Sequence, residues 1–323
     1  MICYLIQPIH PAGVDILTGA GLEVRTASAA TMDVVAAEIT DADAAITRNA
    51  GLSREAMDAA PKLKVLGNHG IGTDPVALDR AREIGLPVIF TPTSNVQSVA
   101  EHAIAQMLAI AKRTREADAA VRDGRFDYRY TRDFVELYGK MLAILGFGTI
   151  GRRTAEIARA AFDMRVVVHS RSADPGAVAA AGFEKVDDLD AVLARADVVS
   201  LHQRLTPDNR GMFDRDRLAR MKPGSMLVNT ARGALVDTEA LAWAVTDGPL
   251  RGAAMDVFAE EPLPGDHPLT RVPGVVLSPH IGGATEEAMA RTAIDTARQV
   301  VDVLEGRRPE FLVDPEVWDR RRT

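Results

Sequence analysis

The segment Met141-Leu-Ala-Ile-Leu145 runs directly into Gly146-Phe-Gly-Thr-Ile-Gly151, and a helical pattern follows. This order of strand, glycine-rich loop and helix is the context that a dinucleotide-binding fingerprint requires. Gly146 permits the tight turn, Gly148 lets the backbone approach a pyrophosphate, and Gly151 lets the helix pack on the strand. The helix N-terminus offers unpaired N–H groups to phosphates. We therefore predict a dinucleotide site here, the alternative being a glycine-rich turn that binds nothing.

Short apolar runs alternate with helical stretches along the rest of the chain. Such alternation predicts parallel sheets with helices on both faces, an α/β fold of two doubly wound domains. Long helices are predicted over residues 98–117 and 285–304. The predicted strands are Ile2–Ile6, Leu22–Arg25, Ala44–Thr47, Lys64–Gly67, Pro87–Phe90, Met141–Leu145, Arg165–Val168, Val198–Leu201, Met226–Asn229, Gly252–Met255 and Val275–Leu277.

Length and composition limit the kinds of protein that this chain can be. Its 323 residues predict two domains, and a content of 47% hydrophobic residues excludes a disordered chain. The net charge of -7 argues against nucleic-acid or anionic-membrane binding by the chain as a whole. One cysteine allows no internal disulfide, and no apolar run reaches the ~18 residues of a membrane span. We therefore expect a cytoplasmic protein whose first residues form a strand and not a signal peptide.

The last predicted helix follows the final strand of the second series, and nothing in that series requires it. We therefore predict that this helix crosses back to the first domain. The expected substrate-binding domain is discontinuous, comprising residues 1–98 plus 285–323, and residues 99–284 form the nucleotide-binding domain. The charged tail, residues 307–323, is expected to be extended.

A dinucleotide fingerprint predicts an acidic residue about 20 positions later, where it binds the ribose hydroxyls. The next strand, Arg165–Val168, is instead followed by His169-Ser170-Arg171, without Asp or Glu. A hydroxyl and a guanidinium can bind a 2′-phosphate, which a carboxylate would repel. The sequence therefore predicts NADP(H) as the preferred cofactor and NAD(H) as a second one. The alternative is that Arg171 is a solvated surface residue and that cofactor selectivity is weak.

Polar residues end three late strands of the second series, in Asn229–Gly233, Asp256–Pro262 and Ser278–Gly283. In an open parallel sheet, ligands bind beyond the carboxyl ends of the strands, which is also where the glycine-rich loop lies. An Arg, a Glu and a His brought together there form a chemical set. The Arg can bind a carboxylate, the His can pass a proton to a carbonyl oxygen, and the Glu can hold the imidazole.

With these motifs the chain resembles the NAD(P)-dependent D-2-hydroxyacid dehydrogenases, a family that includes glyoxylate/hydroxypyruvate reductases and D-3-phosphoglycerate dehydrogenases. The resemblance implies a flavodoxin-like substrate-binding domain, a Rossmann NAD(P)-binding domain and a cleft between them. The motifs that carry it, in the family's order, are His69-Gly-Ile-Gly-Thr-Asp74, Ser98-Val-Ala-Glu-His102, Leu145-Gly-Phe-Gly-Thr-Ile-Gly151, Asn229-Thr-Ala-Arg-Gly233, Met255-Asp-Val-Phe258 with Glu261-Pro262, and Ser278-Pro-His-Ile-Gly-Gly283.

The resemblance implies catalytic roles for Arg232, Glu261 and His280. Arg232 would orient the substrate carboxylate and carbonyl, while His280 would be the acid in reduction and the base in oxidation, with Glu261 as its partner. Asp256 would contact the nicotinamide carboxamide. The substrate-binding residues would be Arg48, Gly70, Ile71, Gly72 and Arg232. The cofactor-binding residues would be Gly146, Gly148, Thr149, Ile150, Gly151, Ser170, Arg171, Arg204, Thr230, Ala231, Arg232, Asp256, His280 and Gly282.

Some positions leave two interpretations open. Ser170 stands where the family commonly has Asp, as in NADP-preferring members. Arg204 replaces a usual Pro and is either a second cation for a 2′-phosphate or a solvent-facing residue, and Arg48 either meets a substrate anion or lies on the surface. His69 is expected to be a packed or hydrated loop residue more often than a pocket residue, and His102 to be packed or capping. No spacing of His, Cys and Asp suggests a metal site.

The leading functional expectation is an NADPH-dependent reductase of a small 2-oxoacid, glyoxylate or hydroxypyruvate, that works reversibly. The second is D-3-phosphoglycerate dehydrogenase, with Arg48 as the candidate cation for the phosphate. Formate oxidation is disfavoured because relatives with that activity typically pair the His with Gln, whereas this chain has Glu261. A dinucleotide-sensing binding protein is an alternative from another class, and the complete set of Arg, Glu and His disfavours it.

The resemblance also implies a homodimer whose contact surface is supplied by residues 98–139. The chain ends soon after its last predicted helix. We therefore expect no C-terminal regulatory domain of the kind that longer D-3-phosphoglycerate dehydrogenases carry.

Overall fold

The structure is a computed structural model that describes residues 1–322, and it divides into two compact units. The first unit comprises Met1–Asn95 together with the chain from Ala284 onward, and the second comprises Val96–Gly283. A parallel sheet lies in each unit, with five strands in the first and seven in the second. The predicted α/β fold of two parallel-sheet domains is confirmed. Thr323 lies outside the described residues.

The sheet of the first unit has the order β2-β1-β3-β4-β5, which is the flavodoxin-like doubly wound order. Successive side chains of β1 enter two different apolar clusters, Cys3 and Leu5 on one face and Tyr4 on the other. The strands are β1 (Ile2–Leu5), β2 (Glu23–Thr26), β3 (Ala44–Thr47), β4 (Val65–Asn68) and β5 (Val88–Ile89). The helices are α1 (Pro11–Gly19), α2 (Met32–Glu38), α3 (Arg54–Asp58), α4 (Leu78–Glu83) and α12 (Glu286–Leu304).

The sheet of the second unit has the order β8-β7-β6-β9-β10-β11-β12. The chain winds outward from β6 in both directions, so the topological switch point lies between β6 and β9, where doubly wound folds bind ligands. The strands are β6 (Met141–Leu145), β7 (Arg165–His169), β8 (Glu184–Lys185), β9 (Val198–Leu201), β10 (Ser225–Asn229), β11 (Leu250–Met255) and β12 (Val275–Leu277). The helices are α5 (Val96–Lys112), α6 (Thr114–Arg122), α7 (Thr149–Phe162), α8 (Pro175–Ala180), α9 (Leu189–Leu193), α10 (Arg215–Ala219) and α11 (Thr238–Thr246).

The central strands of the second unit, β6, β9, β10 and β11, are buried on both faces, which explains their continuous apolar runs. In β6, Ala143 and Leu145 enter one apolar cluster, while Leu142 and Ile144 enter the cluster on the opposite face. The apolar face of α5, including Met107 and Ile110, completes that second cluster. The sheet is therefore held rigidly between two cores, with the loops beyond its strand ends left to carry chemistry.

Two predictions of local structure were wrong, and one strand was missed. The helix predicted over residues 98–117 breaks at Arg113, whose φ of 49° is left-handed and whose guanidinium bonds Asp133 and the carbonyl of Arg251. Strand β8 was not predicted because two residues, Glu and Lys, give no apolar signal. The tail predicted to be extended contains a 3₁₀ helix, Pro315–Arg320, which buries Trp318. Within the described residues no helix is long and apolar enough to cross a membrane.

Candidate active site

The glycine-rich loop joins β6 to α7 at the switch point, as its sequence predicted. Gly146 has a φ of 96°, and a Cβ there would lie 2.6 Å from the carbonyl oxygen of His202. A Cβ at Gly151 would lie 2.2 Å from the carbonyl oxygen of Gly146. Both positions therefore need glycine because the backbone itself is packed closely around them.

Gly148 differs from these two glycines, because a Cβ there would meet nothing within 4 Å. This open space adjoins the first residue of α7, Thr149, where unpaired N–H groups and the helix dipole favour an anion. Two side-chain atoms in the loops beyond β9 and β10, Gln203 Oε1 and Thr230 Oγ1, are buried without a hydrogen-bond partner among residues 1–322. Space, helix terminus and unsatisfied polar atoms together fit a dinucleotide.

The end of β7 carries no carboxylate. Ser170 is buried. The imidazole Nδ1 of His169 lies 3.1 Å from the carbonyl oxygen of Val186, so this ring nitrogen is engaged by the backbone. Arg171 and Arg204 are both exposed, and within residues 1–322 neither guanidinium makes an ion pair. The two candidate cations for a 2′-phosphate are thus solvent-accessible side chains on loops beyond β7 and β9.

The loop beyond β10 is organised by the completely buried side chain of Asn229. Its amide donates to the carbonyl oxygen of Arg232 at 2.9 Å, and its Oδ1 accepts from the N–H of Ala231 at 3.0 Å. A Cβ at Gly233 would lie 1.9 Å from the carbonyl carbon of Phe258, so this loop packs backbone to backbone on the loop beyond β11. The position of Arg232 is therefore fixed relative to the segment that carries Glu261.

His280 and Glu261 form a hydrogen-bonded pair, with Nδ1 of the imidazole 2.8 Å from Oε2 of the carboxylate. The other carboxylate oxygen accepts from the N–H of Phe258 at 2.9 Å. Burial raises the pKa of Glu261, but the hydrogen bonds from His280 and Phe258 outweigh it, so the pKa lies below its usual value. An ionised carboxylate only accepts, so Nδ1 carries a proton and Nε2 is left for proton exchange. The pair borders a cavity of about 340 Å³ lined chiefly by apolar side chains.

The turn that carries His280 is held by Asp256, whose side chain is 2% exposed. Its carboxylate oxygens accept from the N–H groups of Ile281 and Gly282 at 2.9 and 2.8 Å. Burial raises the pKa of Asp256, but hydrogen bonds from His102, from Ser278 and from these N–H groups hold it below its usual value. The sequence assigned no role to Ser278. The hydrogen bond from Ser278 to Asp256 joins residues that are 22 positions apart, which a local pattern does not show.

The candidate substrate residues of the first unit lie beyond β3 and β4. The amide of Asn68, 1% exposed, donates to the carbonyl oxygens of Gly70 and Gly72 at 3.0 Å each, which fixes the backbone of that loop. The guanidinium of Arg48 contacts the carbonyl oxygen of Pro8 and the sulfur of Met289, and partial burial lowers its pKa.

His69 lies in the same loop, and the sequence left its role open. Burial and the nearby charge of Arg48 lower its pKa to about 4, and its Nε2 is buried without a hydrogen-bond partner among the described residues. The imidazole is therefore neutral at physiological pH.

The family description "D-isomer specific 2-hydroxyacid dehydrogenase, NAD binding domain" matches residues 104–282. The chain belongs to the D-isomer specific 2-hydroxyacid dehydrogenase family. A glyoxylate reductase of Thermofilum pendens is 39% identical over 269 residues, which cover 82% of this chain and 79% of the relative. A D-3-phosphoglycerate dehydrogenase of Mycobacterium tuberculosis is 40% identical over 297 residues, which cover 92% of this chain and 55% of the relative. The second unit is thus a nicotinamide-dinucleotide-binding domain, as the glycine-rich loop predicted.

A solved structure shares the fold of this chain. The TT0316 protein of Thermus thermophilus superposes with a TM-score of 0.90 at 37% identity, covering 97% of this chain and all of that one. The chain spans about half the length of the D-3-phosphoglycerate dehydrogenases that it matches. These relatives carry names with two different substrates, so membership of the family leaves the substrate of this chain to be proposed.

The three glycines allow a matched pair of substitutions. Gly148 has a φ of -78°, which alanine adopts freely, and its Cβ would enter only the open space. We expect Gly148→Ala to weaken binding of the nicotinamide dinucleotide by about tenfold or more without lowering thermal stability. Gly151→Ala should instead lower the free energy of unfolding by about 1–3 kcal/mol, because its Cβ meets backbone. Calorimetric titration with NADPH and urea unfolding measure the two effects, and unchanged affinity in Gly148→Ala contradicts the site.

Proposed function

We propose that this chain catalyses reversible hydride transfer between NADP(H) and a small 2-oxoacid or D-2-hydroxyacid. The observation that carries the proposal is the His280–Glu261 pair, held at 2.8 Å on the loops beyond β11 and β12 of a dinucleotide-binding sheet. An imidazole oriented by a carboxylate is the commonest general acid–base group in enzymes.

The residues divide the chemistry among themselves in this proposal. Bound nicotinamide supplies or accepts the hydride. His280 gives a proton from Nε2 to the substrate carbonyl oxygen in reduction and takes it back in oxidation, while Glu261 keeps the proton on Nδ1 and the ring in orientation. Arg232 binds the substrate carboxylate, for which a planar guanidinium can make two parallel hydrogen bonds. The backbone of Gly70, Ile71 and Gly72 is the proposed second contact for that carboxylate.

We propose glyoxylate or hydroxypyruvate as the substrate class, as the name of the Thermofilum pendens relative suggests. One observation favours a second candidate, a 3-phosphorylated substrate of the D-3-phosphoglycerate dehydrogenase type. The guanidinium of Arg48 is partly buried, and within residues 1–322 it contacts a carbonyl oxygen and a sulfur but no carboxylate. A partly desolvated cation without an acidic partner is suited to an anionic group on the substrate.

A panel of 2-oxoacids tests the proposal. We expect oxidation of NADPH, followed by absorbance, with glyoxylate or hydroxypyruvate, and slower turnover with pyruvate and 3-phosphohydroxypyruvate. His280→Gln should lower kcat by about 10²- to 10⁴-fold while NADPH still binds, because only proton transfer is lost. His10→Gln, which changes a capping imidazole of the first unit, is the matched control.

Each other outcome has a defined meaning. Unchanged turnover in His280→Gln shows that the assigned acid is wrong. Fastest turnover with 3-phosphohydroxypyruvate favours the second candidate. Tight NADPH binding with no turnover of any 2-oxoacid favours a dinucleotide-sensing binding protein.

We propose that NADP(H) is preferred over NAD(H). Ser170 and the exposed cations Arg171 and Arg204 support this, since no carboxylate ends β7 to bind the free 2′-hydroxyl of NAD(H). All three residues are proposed to hold the 2′-phosphate, Ser170 through its hydroxyl and the two arginines through charge-assisted hydrogen bonds.

Introducing a carboxylate at the end of β7 tests the preference. We expect Ser170→Asp to raise the KM for NADPH by about tenfold or more, because a 2′-phosphate is repelled, while the KM for NADH stays or falls. Ser172→Asp, which adds the same charge at an exposed position two residues later, is the control and should have a smaller effect. Comparable kcat/KM values for both cofactors in the unaltered protein would refute the preference.

We propose a homodimer that uses part of the surface that the resemblance indicated. Among the described residues, five of the seven large apolar side chains that are exposed lie in one segment of 18 positions. They are Val121, Phe126, Phe134, Tyr130 and Tyr138. Such a cluster of exposed apolar side chains marks an interaction surface. Helix α5 belongs to residues 98–139, which the resemblance indicated, but its apolar face is buried within the second unit.

Light scattering at micromolar concentration should give twice the chain mass of 34.7 kDa. The double variant Phe126→Asp with Tyr130→Asp should shift the mass toward one chain, because two charges would enter an apolar contact. Ala179→Asp, which adds a charge at an exposed position of α8, should leave the mass unchanged. A single-chain mass in the unaltered protein would overturn the proposal.

A further inference from the structure

Helix α5 carries a stripe of polar side chains on a face that points into the second unit. Ser98, His102 and Gln106 are spaced four residues apart and therefore lie above one another on the helix. Ser98 and Gln106 are 5% and 3% exposed, and their neighbours on the helix, such as Ala103 and Met107, are buried apolar residues. Buried polar groups are unfavourable unless they are hydrogen-bonded, so the partners of this stripe indicate what it does.

All three side chains of the stripe contact the turn that carries His280. Ser98 Oγ donates to the carbonyl oxygen of Gly282 at 2.6 Å. Gln106 Nε2 donates to Ser278 Oγ at 2.7 Å, and His102 Nε2 lies 3.0 Å from the same oxygen. The stripe therefore contacts the turn two residues before and two residues after the imidazole that exchanges the proton.

The centre of this network is a close group of polar atoms around Ser278 and Asp256. The amide of Gln106 donates to Ser278 Oγ, and His102 Nε2 lies 2.8 Å from that amide nitrogen and 3.3 Å from Asp256 Oδ1. The hydroxyl hydrogen of Ser278 is then directed to Asp256 Oδ1 at 2.6 Å. In this way Gln106 sets the direction of the Ser278 hydroxyl, and that hydroxyl helps to hold the Asp256 carboxylate.

The turn needs such support because His280 has a φ of 55°, a left-handed conformation that is unfavourable for a residue with a Cβ. Its N–H donates to the carbonyl oxygen of Asp256 at 2.8 Å, and the next two N–H groups donate to the Asp256 carboxylate. A strained conformation persists only where its surroundings impose it. The contacts of Ser98, His102 and Gln106 are the support that the turn receives from α5, a separate element.

We propose that His102 and Gln106 are positioning residues for proton transfer by His280, acting through Ser278 and Asp256. The proposal rests on the proposed function. Neither side chain makes a hydrogen bond or an ion pair with His280. Each holds the turn in the conformation that aims Nε2 of the imidazole at the reacting oxygen, and loss of either lets the ring sample unproductive orientations.

Kinetics of substitutions on α5 provide the first test. We expect His102→Ala and Gln106→Leu to lower kcat by about 10- to 100-fold, with KM for the 2-oxoacid and the Kd of NADPH changed less than about threefold. His102→Gln should restore most of kcat, since a glutamine amide can replace Nε2 either as a donor or as an acceptor. Glu101→Gln, the exposed neighbour on the same helix, is the control and should leave kcat unchanged. Thermal unfolding of every variant identifies any loss that comes from a damaged fold.

A substrate-free measurement separates this proposal from the proposed function. The Nδ1 proton that His280 shares with Glu261 is observed by NMR of the ¹⁵N-histidine-labelled protein and assigned by its absence in His280→Gln. We expect a sharp signal in the unaltered protein and in His102→Gln, and a broadened or missing signal in His102→Ala. If no 2-oxoacid is turned over, the proposed function fails, while this signal still tests positioning.

Two results would overturn the positioning role. One is a His102→Ala protein that keeps its melting temperature, its kcat within about twofold and the shared proton signal. The other is an equal loss of kcat in His102→Ala and His102→Gln, in proportion to the loss of thermal stability and with the shared proton signal unchanged. A residue that only supports the fold would behave in this way.

Discussion

The arrangement of the candidate active site depends on a buried charge, the carboxylate of Asp256. A carboxylate that is 2% exposed is strongly disfavoured unless hydrogen bonds replace its water. The N–H groups of Ile281 and Gly282 and the hydroxyl of Ser278 do so, at distances of 2.6 to 2.9 Å. These donors can converge on one carboxylate only if the chain folds back tightly after β12. The left-handed conformation of His280 is part of this tight fold.

The second constraint is the close approach of backbones at the same edge of the sheet. The loop beyond β6 packs on that beyond β9 through Gly146, and the loop beyond β10 packs on that beyond β11 through Gly233. Side chains at these contacts would separate the loops by several tenths of an ångström or more. Because glycine removes that separation, Arg232 and Glu261 extend from loops that cannot move independently. Orientation of a small substrate demands side chains fixed relative to one another in this way.

Much of the fold and of the candidate site could be predicted from the sequence because the signals are local. Buried parallel strands are continuous apolar runs, and the glycine-rich loop, Arg232, Glu261 and His280 all follow directly after such runs. The break at Arg113 depends on partners 20 and 138 positions away, and His102 meets Ser278 across 176 positions. A helical pattern shows which residues share a face but not what lies opposite, so His102 was expected to be only packed or capping.

The two carboxylates beyond β11 illustrate how environment assigns different roles to one functional group. Glu261, with 32% of its side chain exposed, uses one oxygen for a ring nitrogen and one for a backbone N–H, so it orients the imidazole directly. Asp256 has both oxygens occupied by the turn and acts on the position of the backbone. Glu261 thus fixes the rotation of the His280 ring, and Asp256 fixes the position of the backbone from which the ring extends. In the proposed function, proton transfer by His280 requires both, because an imidazole that is correctly rotated but displaced by about 1 Å no longer reaches the reacting oxygen.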